Sequence, residues 1–104
     1  MSHGELYTQF DAVFFEKTRL SMLTLLNQEG SASFNRFKQI LGGTDGSVYT
    51  HIKKLVDAGY VKQRRQIAAG RIETIYSLSN AGRRLFRRYL EFMEGILKNN
   101  TGRD

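Results

Sequence analysis

The stretch SFNRFKQILGGTDGSVYTHIKKLVDA, residues 33–58, decides the fold, because it holds two short amphipathic segments separated by a glycine pair. Ser33 is a good N-cap for a first helix over residues 34–41, whose apolar side chains recur at helical spacing. After the glycine pair, Thr44 or Asp45 can accept hydrogen bonds from the first amides of a second helix. Two helices joined by so tight a turn predict a helix-turn-helix motif.

The rest of the chain adds helices on both sides of this motif and a β-hairpin after it. Apolar residues at helical spacing predict the helices, and runs of β-branched and aromatic residues around a four-residue, glycine-containing connection predict the hairpin. This order predicts one domain over residues 1–104, mainly α with a small β-hairpin: a winged helix-turn-helix with extra N- and C-terminal helices. The predicted elements outside the motif are helices over residues 5–15, 18–29 and 81–98 and strands over residues 60–67 and 72–78.

Several short motifs support this layout when they are taken in order. They are Arg19-Leu20 with Leu23 and Leu26, Ser33-Phe34 with Phe37, the run from Leu41 to Val48, His51-Ile52-Lys53-Lys54-Leu55, Ala58-Gly59-Tyr60-Val61, and Thr74 to Ser79 with Gly82. In this order, residues 10–90 resemble the small winged-helix transcriptional regulators of archaea and bacteria, near the MarR, ArsR and PadR groups. The resemblance implies sequence-specific DNA binding as a dimer, usually for repression.

The charge of the chain is strongly one-sided. Sixteen Lys and Arg against ten Asp and Glu give a net charge of +6, and residues 61–104 alone carry ten basic and four acidic groups. A basic region of this kind attracts polyanions, of which nucleic acid is the commonest, although a solvated surface is the plain alternative. No secretory signal or membrane span is visible, so we expect a cytoplasmic protein without a membrane partner.

The second helix of the motif must bury one face and offer the other to the major groove of DNA. Val48, Ile52 and Leu55 define its buried side. We expect Ser47, Tyr49 and Thr50 to read bases, Lys53 and Lys54 to contact phosphates, and Gly46 to let the backbone approach closely. The alternative is that these residues only solvate the outer face of an ordinary helix.

Arginine side chains on the hairpin are the second group of candidate DNA contacts. Arg71 sits at the predicted tip and can enter a narrow minor groove or bind phosphate. Arg64 and Arg65 point to opposite faces of a strand, so at most one should contact DNA, and Glu73 can pair with a cross-strand arginine. For Arg83, Arg84, Arg87 and Arg88 we favour a solvated flank of the last helix over DNA contact.

No catalytic or metal site is apparent in the sequence. The chain has no cysteine and two histidines, of which His3 is terminal and His51 is expected to be packed and hydrogen-bonded. We therefore expect no enzyme activity, no metal and no cofactor. The alternatives to a DNA-binding regulator are a winged helix that binds protein or RNA, and a small hydrolase, for which the necessary residues are missing.

The two terminal helices carry more apolar surface than a domain of this size can cover, which predicts a homodimer that binds an inverted-repeat DNA site. The alternative is a monomer in which both helices fold back on the domain. Apolar space between these helices in a dimer could also hold a small-molecule effector of unknown identity. The predicted dimerisation residues are Leu6, Phe10, Phe14, Phe86, Tyr89, Leu90, Met93 and Leu97.

Overall fold

The computed structural model of the protein describes residues 10–101, with the side chains of residues 10–99. Within this part of the chain, four helices and a three-stranded antiparallel sheet form a winged helix-turn-helix, which confirms the predicted fold. The elements are α1 (Lys17–Glu29), β1 (Ala32–Ser33), α2 (Phe34–Leu41), α3 (Asp45–Asp57), β2 (Val61–Ala68), β3 (Arg71–Leu78) and α4 (Asn80–Thr101).

The ends of the motif helices are set by the residues that the sequence indicates. The Ser33 hydroxyl accepts from the Arg36 amide at 3.1 Å and begins α2. Of the two candidates for the start of α3, Thr44 is the cap: its hydroxyl accepts from the Ser47 amide at 3.1 Å. Gly59 follows α3 with φ +83°, a left-handed conformation that favours glycine. These residues determine where α2 and α3 begin and where the chain leaves α3.

One hydrophobic core joins the helices to the sheet. Leu26 from α1, Phe37 from α2 and Leu55 from α3 are almost fully buried there. Tyr76 of β3 closes the core from the sheet side, with its ring centroid 6.0 Å from that of Phe37. The core therefore holds the back of α3 and leaves its opposite face outside.

The N-terminal segment differs from the helix predicted over residues 5–15. Residues 5–9 lie outside the described residues, and residues 10–16 form turns and bends, so that part of the prediction is wrong. One Asp11 carboxylate oxygen accepts from the Phe14 amide at 2.9 Å, which closes a single turn, and the other accepts from the Tyr60 hydroxyl. Burial and this hydrogen bond raise the pKa of Tyr60 to about 12.

The aromatic residues of this segment and of α4 pack on each other within the chain. Phe10 stacks on Phe14 at 5.3 Å and meets the Phe92 ring edge-on at 6.0 Å. Phe10, Phe14 and Phe86, three of the predicted dimerisation residues, are therefore buried inside the protein, which is a correction to their assignment as interface residues. Leu6, a fourth, lies outside the described residues.

The hairpin is longer and its connection shorter than the sequence predicts. Val61 pairs with Leu78 and Ala68 with Arg71, so only Ala69 and Gly70 connect the strands. The two-residue β1, which pairs Ala32 and Ser33 with the middle of β3, is also absent from the prediction. Both connecting residues have positive φ, 52° and 76°, as in a type I′ hairpin turn.

Ala69→Asn is expected to stabilise the protein. Alanine in the left-handed region is strained by about 1–2 kcal/mol, whereas asparagine is a favoured residue at this position of a type I′ turn. We expect the free energy of unfolding to rise by about 1 kcal/mol and Tm by about 4–8 °C, measured by thermal and urea denaturation. Ala69→Val is the control and should lower both; equal stability of the two variants would contradict the strain at this position.

Candidate nucleic-acid interface

The outer face of α3 is exposed along its whole length. Val48, Ile52 and Leu55 are buried, as their spacing predicts. The six residues predicted to face DNA lie on the exposed side of the helix: Gly46, Ser47, Tyr49, Thr50, Lys53 and Lys54. The structure therefore places these residues where a duplex could reach them.

A concave surface borders α3 on each side. On the α1 side, Ser47 lines a concavity of about 260 Å³ together with Lys17, a cation that sequence reasoning missed. On the sheet side, Tyr49 lines a concavity of about 350 Å³ together with Ile72 and Thr74 of β3. Ser47 and Tyr49 thus lie on opposite flanks of the helix, with Thr50 between them.

Two carboxylates of α3 are neutralised by neighbouring lysines. Lys53 Nζ lies 2.9 Å from Asp57 Oδ2, and this hydrogen bond raises the pKa of Lys53. Asp45 forms an ion pair with Lys38 of α2. Lys53 is therefore paired with a carboxylate in the free protein, whereas Lys54 has no carboxylate partner among the described residues; both lysines stay predicted phosphate contacts.

Thr50 is exposed, and its hydroxyl is hydrogen-bonded within its own helix. The hydroxyl donates to the Gly46 carbonyl oxygen at 2.8 Å. The oxygen can still accept a hydrogen bond from a base, and the methyl group can contact the methyl of thymine. Both contacts are of the kind that distinguishes base pairs.

The register of the wing, the β2–β3 hairpin, assigns each arginine to a face. Arg65 and Thr74 pair on the face that carries Tyr76, whereas Arg64 pairs with Ile75 on the opposite face. Arg64 donates to Gln66 at 3.0 Å, and Gln66 donates to Glu73 at 3.2 Å. Glu73 is therefore engaged by Gln66 rather than by a cross-strand arginine, a correction to the expectation.

Arg71 lies at the tip of the wing, and the arginines of α4 lie near its base. Arg71 is exposed beside the turn. Arg84, Arg87 and Arg88 line a concavity of about 440 Å³ next to Tyr60, where β2 begins. An eight-residue strand separates base and tip by about 23 Å, so these arginines are remote from the tip.

Buried Arg19 connects the N-terminal segment to α3. Its Nε donates to the Val13 carbonyl at 2.7 Å and one terminal nitrogen to the Ala12 carbonyl at 3.2 Å. Its other terminal nitrogen lies 2.9 Å from His51 Nδ1. His51 is thus packed and hydrogen-bonded, as the sequence predicts. Its contact with Arg19 connects α3 to the start of α1. The sequence offered no signal that Arg19 would be buried.

The described residues show neither a cluster of three or more His, Asp or Glu side chains suited to a metal ion nor a helix long and apolar enough to cross a membrane. The exposed surfaces described above are a helix with hydroxyl and lysine side chains and an arginine-bearing hairpin.

Residues 18–97 match the family model described as a winged helix DNA-binding domain, and the chain belongs to that family. The chain is 33% identical over 87 residues to an uncharacterized protein of Methanocaldococcus jannaschii, with 84% of this chain and 95% of that protein covered. Its fold is similar to the transcriptional regulator homologue of Pyrococcus horikoshii, with a TM-score of 0.78, 24% identity and 92% and 96% of the two chains covered.

Other solved structures with the same fold are also regulators. Bacillus subtilis PadR in complex with operator DNA matches with a TM-score of 0.61 and 21% identity, over 72% of this chain and 47% of PadR. The transcriptional regulator Tm0710 of Thermotoga maritima matches with a TM-score of 0.74 and 18% identity, over 84% of this chain and 61% of that one. The chain has the fold of DNA-binding transcriptional regulators of the MarR, ArsR and PadR type.

Proposed function

We propose that this protein is a homodimeric repressor that binds double-stranded DNA at a specific inverted-repeat site. The observation that carries the proposal is the outer face of α3, which exposes Tyr49, Thr50 and Lys54, with Tyr49 next to β3 of the arginine-bearing wing. Such a helix enters the major groove with its side chains on base edges, while cations at its margins contact phosphates. PadR, which shares the fold, was solved with operator DNA.

The surface of α4 supports the dimer. Leu90 is 46% exposed and Leu97 is 60% exposed, with half-buried Met93 between them. The intervals of three and four residues place these side chains along one stripe, the spacing of a two-helix seam. Tyr89, also half-buried, contacts Phe15 at the edge of this stripe, with ring centroids 6.2 Å apart. An exposed apolar stripe of this kind suits a second copy of α4 packed across a twofold axis.

Selection of bound sequences from random duplex DNA tests the proposed function. We expect an inverted repeat whose half-sites are one helical turn apart, about 10–10.5 base pairs between centres. Affinity for the selected site should fall with salt by about 0.9 log unit per log unit for each phosphate contacted. If no sequence is enriched, or if RNA or a protein is retained in preference to duplex DNA, the proposed function is wrong.

Lys54→Ala is expected to weaken binding to all duplexes alike. The lysine has no carboxylate partner within the described residues, so its charge is available to a phosphate. We expect the salt slope to decrease by about 0.9, with the same proportional loss on the selected site and on unrelated DNA. Fluorescence-anisotropy titrations at several salt concentrations measure both quantities.

Thr50→Ala provides the contrasting variant on the same helix face. We expect it to leave the salt slope unchanged and to relax the preference at one base pair, by about 1–3 kcal/mol of discrimination. If both variants alter preference in the same way, the division between base-reading and phosphate-contacting residues on α3 is wrong.

A further inference from the structure

Two isoleucines near the tip of the wing are far more exposed than their chemistry favours. Ile67 is 78% exposed and Ile72 is 70% exposed, the highest values among the large hydrophobic side chains of the described residues. They are direct partners in the antiparallel ladder, one residue pair before the turn. A single exposed isoleucine is ordinary, but a facing pair forms a continuous apolar patch.

The patch lies on the face of the hairpin that packs on the core nearer its base. Side chains alternate along a strand, so Ile72 shares its face with Thr74 and Tyr76. Ile72 also lines the concavity next to Tyr49 of α3. The apolar patch is therefore continuous with the flank of the helix proposed to enter the major groove, rather than turned away from it.

The residues around the patch carry positive charge. Arg65 lies on the same face, two residues further from the tip than Ile67, and Arg71 precedes Ile72 on the opposite face of β3. Neither arginine forms an ion pair with a carboxylate of the described residues. The nearby acidic group, Glu73, is hydrogen-bonded to Gln66. An apolar patch with one unpaired arginine on its own face and another at the neighbouring tip complements a duplex groove, whose sugar walls are apolar and whose rims are phosphates.

We propose that Ile67 and Ile72 pack against the wall of the minor groove of the duplex whose major groove receives α3, with Arg65 and Arg71 on the adjacent phosphates. The inference rests on the proposed function and adds to it an uncharged contact. Minor-groove proteins commonly use apolar side chains together with arginines in this way. Because apolar contacts displace no counterions, this contribution to affinity is independent of salt.

The double variant Ile67→Thr/Ile72→Thr tests the proposal in the full chain. Threonine keeps the β-branched shape that suits a strand but removes apolar surface. We expect the Kd for the selected duplex to rise about tenfold, from the lost apolar burial, with no change in the salt slope. Arg71→Ala is the comparator, and it should reduce the salt slope by about 0.9. Ile67→Val/Ile72→Val should retain most of the affinity.

Hydroxyl-radical footprinting locates the contact, since this reagent cleaves deoxyribose from the minor groove. Protection next to each half-site should be present with the unaltered protein and the valine pair, and lost with the threonine pair. Thermal denaturation of all three proteins shows whether the hairpin remains folded. If the threonine pair unfolds, the single variant Ile72→Thr becomes the test variant, and it should show the same loss of protection.

Three results would overturn the inference. The first is unchanged affinity and protection in the threonine pair, while Arg71→Ala and Lys54→Ala still weaken binding; the proposed function then stands without the apolar contact. The second is a reduced salt slope in the threonine pair, which would mean that the arginines had moved. The third is a change in dimer mass, which would make the patch an interface between copies. If the unaltered protein binds no duplex, the proposed function itself has failed.

Discussion

Gly82→Ala is expected to destabilise the protein by at least about 3 kcal/mol, more than a typical overpacking substitution. A Cβ at this residue would lie 2.0 Å from the carbonyl oxygen of Tyr60 and 2.9 Å from its carbonyl carbon. Both atoms belong to the backbone, so no side-chain rotation can relieve the clash. The same oxygen accepts from the Ser79 amide at 3.0 Å, which fixes it in position. The first turn of α4 would have to separate from the base of the wing.

Urea denaturation measures this effect directly. Since domains of this size have a free energy of unfolding of roughly 5–15 kcal/mol, the variant should lose a large part of its stability, and Tm should fall by more than about 10 °C. Gly95→Ala is a matched control on the same helix, with nothing within 4 Å of its added Cβ. The free energy of unfolding of this control should rise by about 1 kcal/mol, because alanine has a higher helix propensity than glycine. Destabilisation of similar size in both variants would show that close packing at residue 82 is not the cause.

Gly82 also illustrates how far local sequence signals extend. Helical spacing and capping residues predict α1, α2 and α3 correctly, because those signals lie within a few positions of the structure they produce. The requirement for glycine at residue 82 comes from Tyr60, which is distant along the chain and close only after folding. A glycine near the start of a helix carries no mark of that neighbour.

In the N-terminal segment a local sequence signal is present, but it predicts the wrong conformation. The spacing of Phe10, Val13 and Phe14 fits a helix, yet residues 10–16 are turns and bends. The pattern correctly indicates burial, since Phe10 and Phe14 enter the core. It cannot indicate the conformation, because in so short a segment the Asp11 turn and the Arg19 hydrogen bonds replace helical ones. For the same reason, a prediction of burial could not say whether the chain itself or a second copy covers the rings.

The candidate interface was predictable on α3 and less so on the wing. Exposure along a helix follows from its period, and the pairing of Lys53 with Asp57 follows from their i, i+4 spacing. Ile67 and Ile72 face each other with either connection, because residues 68–71 and residues 69–70 are centred on the same point of the chain; the two-residue turn only adds the pair Ala68 and Arg71 to the ladder. The high exposure of the two isoleucines depends on what packs near the tip of the wing, which local sequence signals do not show.

Leu90→Glu is expected to produce the largest functional effect, because it acts on both halves of the proposed complex together. A carboxylate in the middle of the α4 stripe would be buried without a partner in a twofold interface, which is strongly unfavourable. The variant should be monomeric, and its affinity for the full inverted repeat should fall by about 10²–10⁴-fold. That loss arises because the second half-site is no longer bound by a linked recognition helix. Sedimentation equilibrium and DNA titration measure the two effects.

The origin of this loss can be separated from damage to the fold. Leu90 is nearly half exposed, so a glutamate there can be solvated in the monomer, and its Tm in dilute solution should show an intact domain. Ala81→Glu, on the exposed surface of the same helix, is the control and should remain dimeric with full affinity. Binding of Leu90→Glu to a single half-site should match that of the unaltered protein, since α3 and the wing are untouched. A Leu90→Glu protein that stays dimeric, or a monomer that retains full affinity for the inverted repeat, would show that the exposed α4 stripe does not join the two recognition helices.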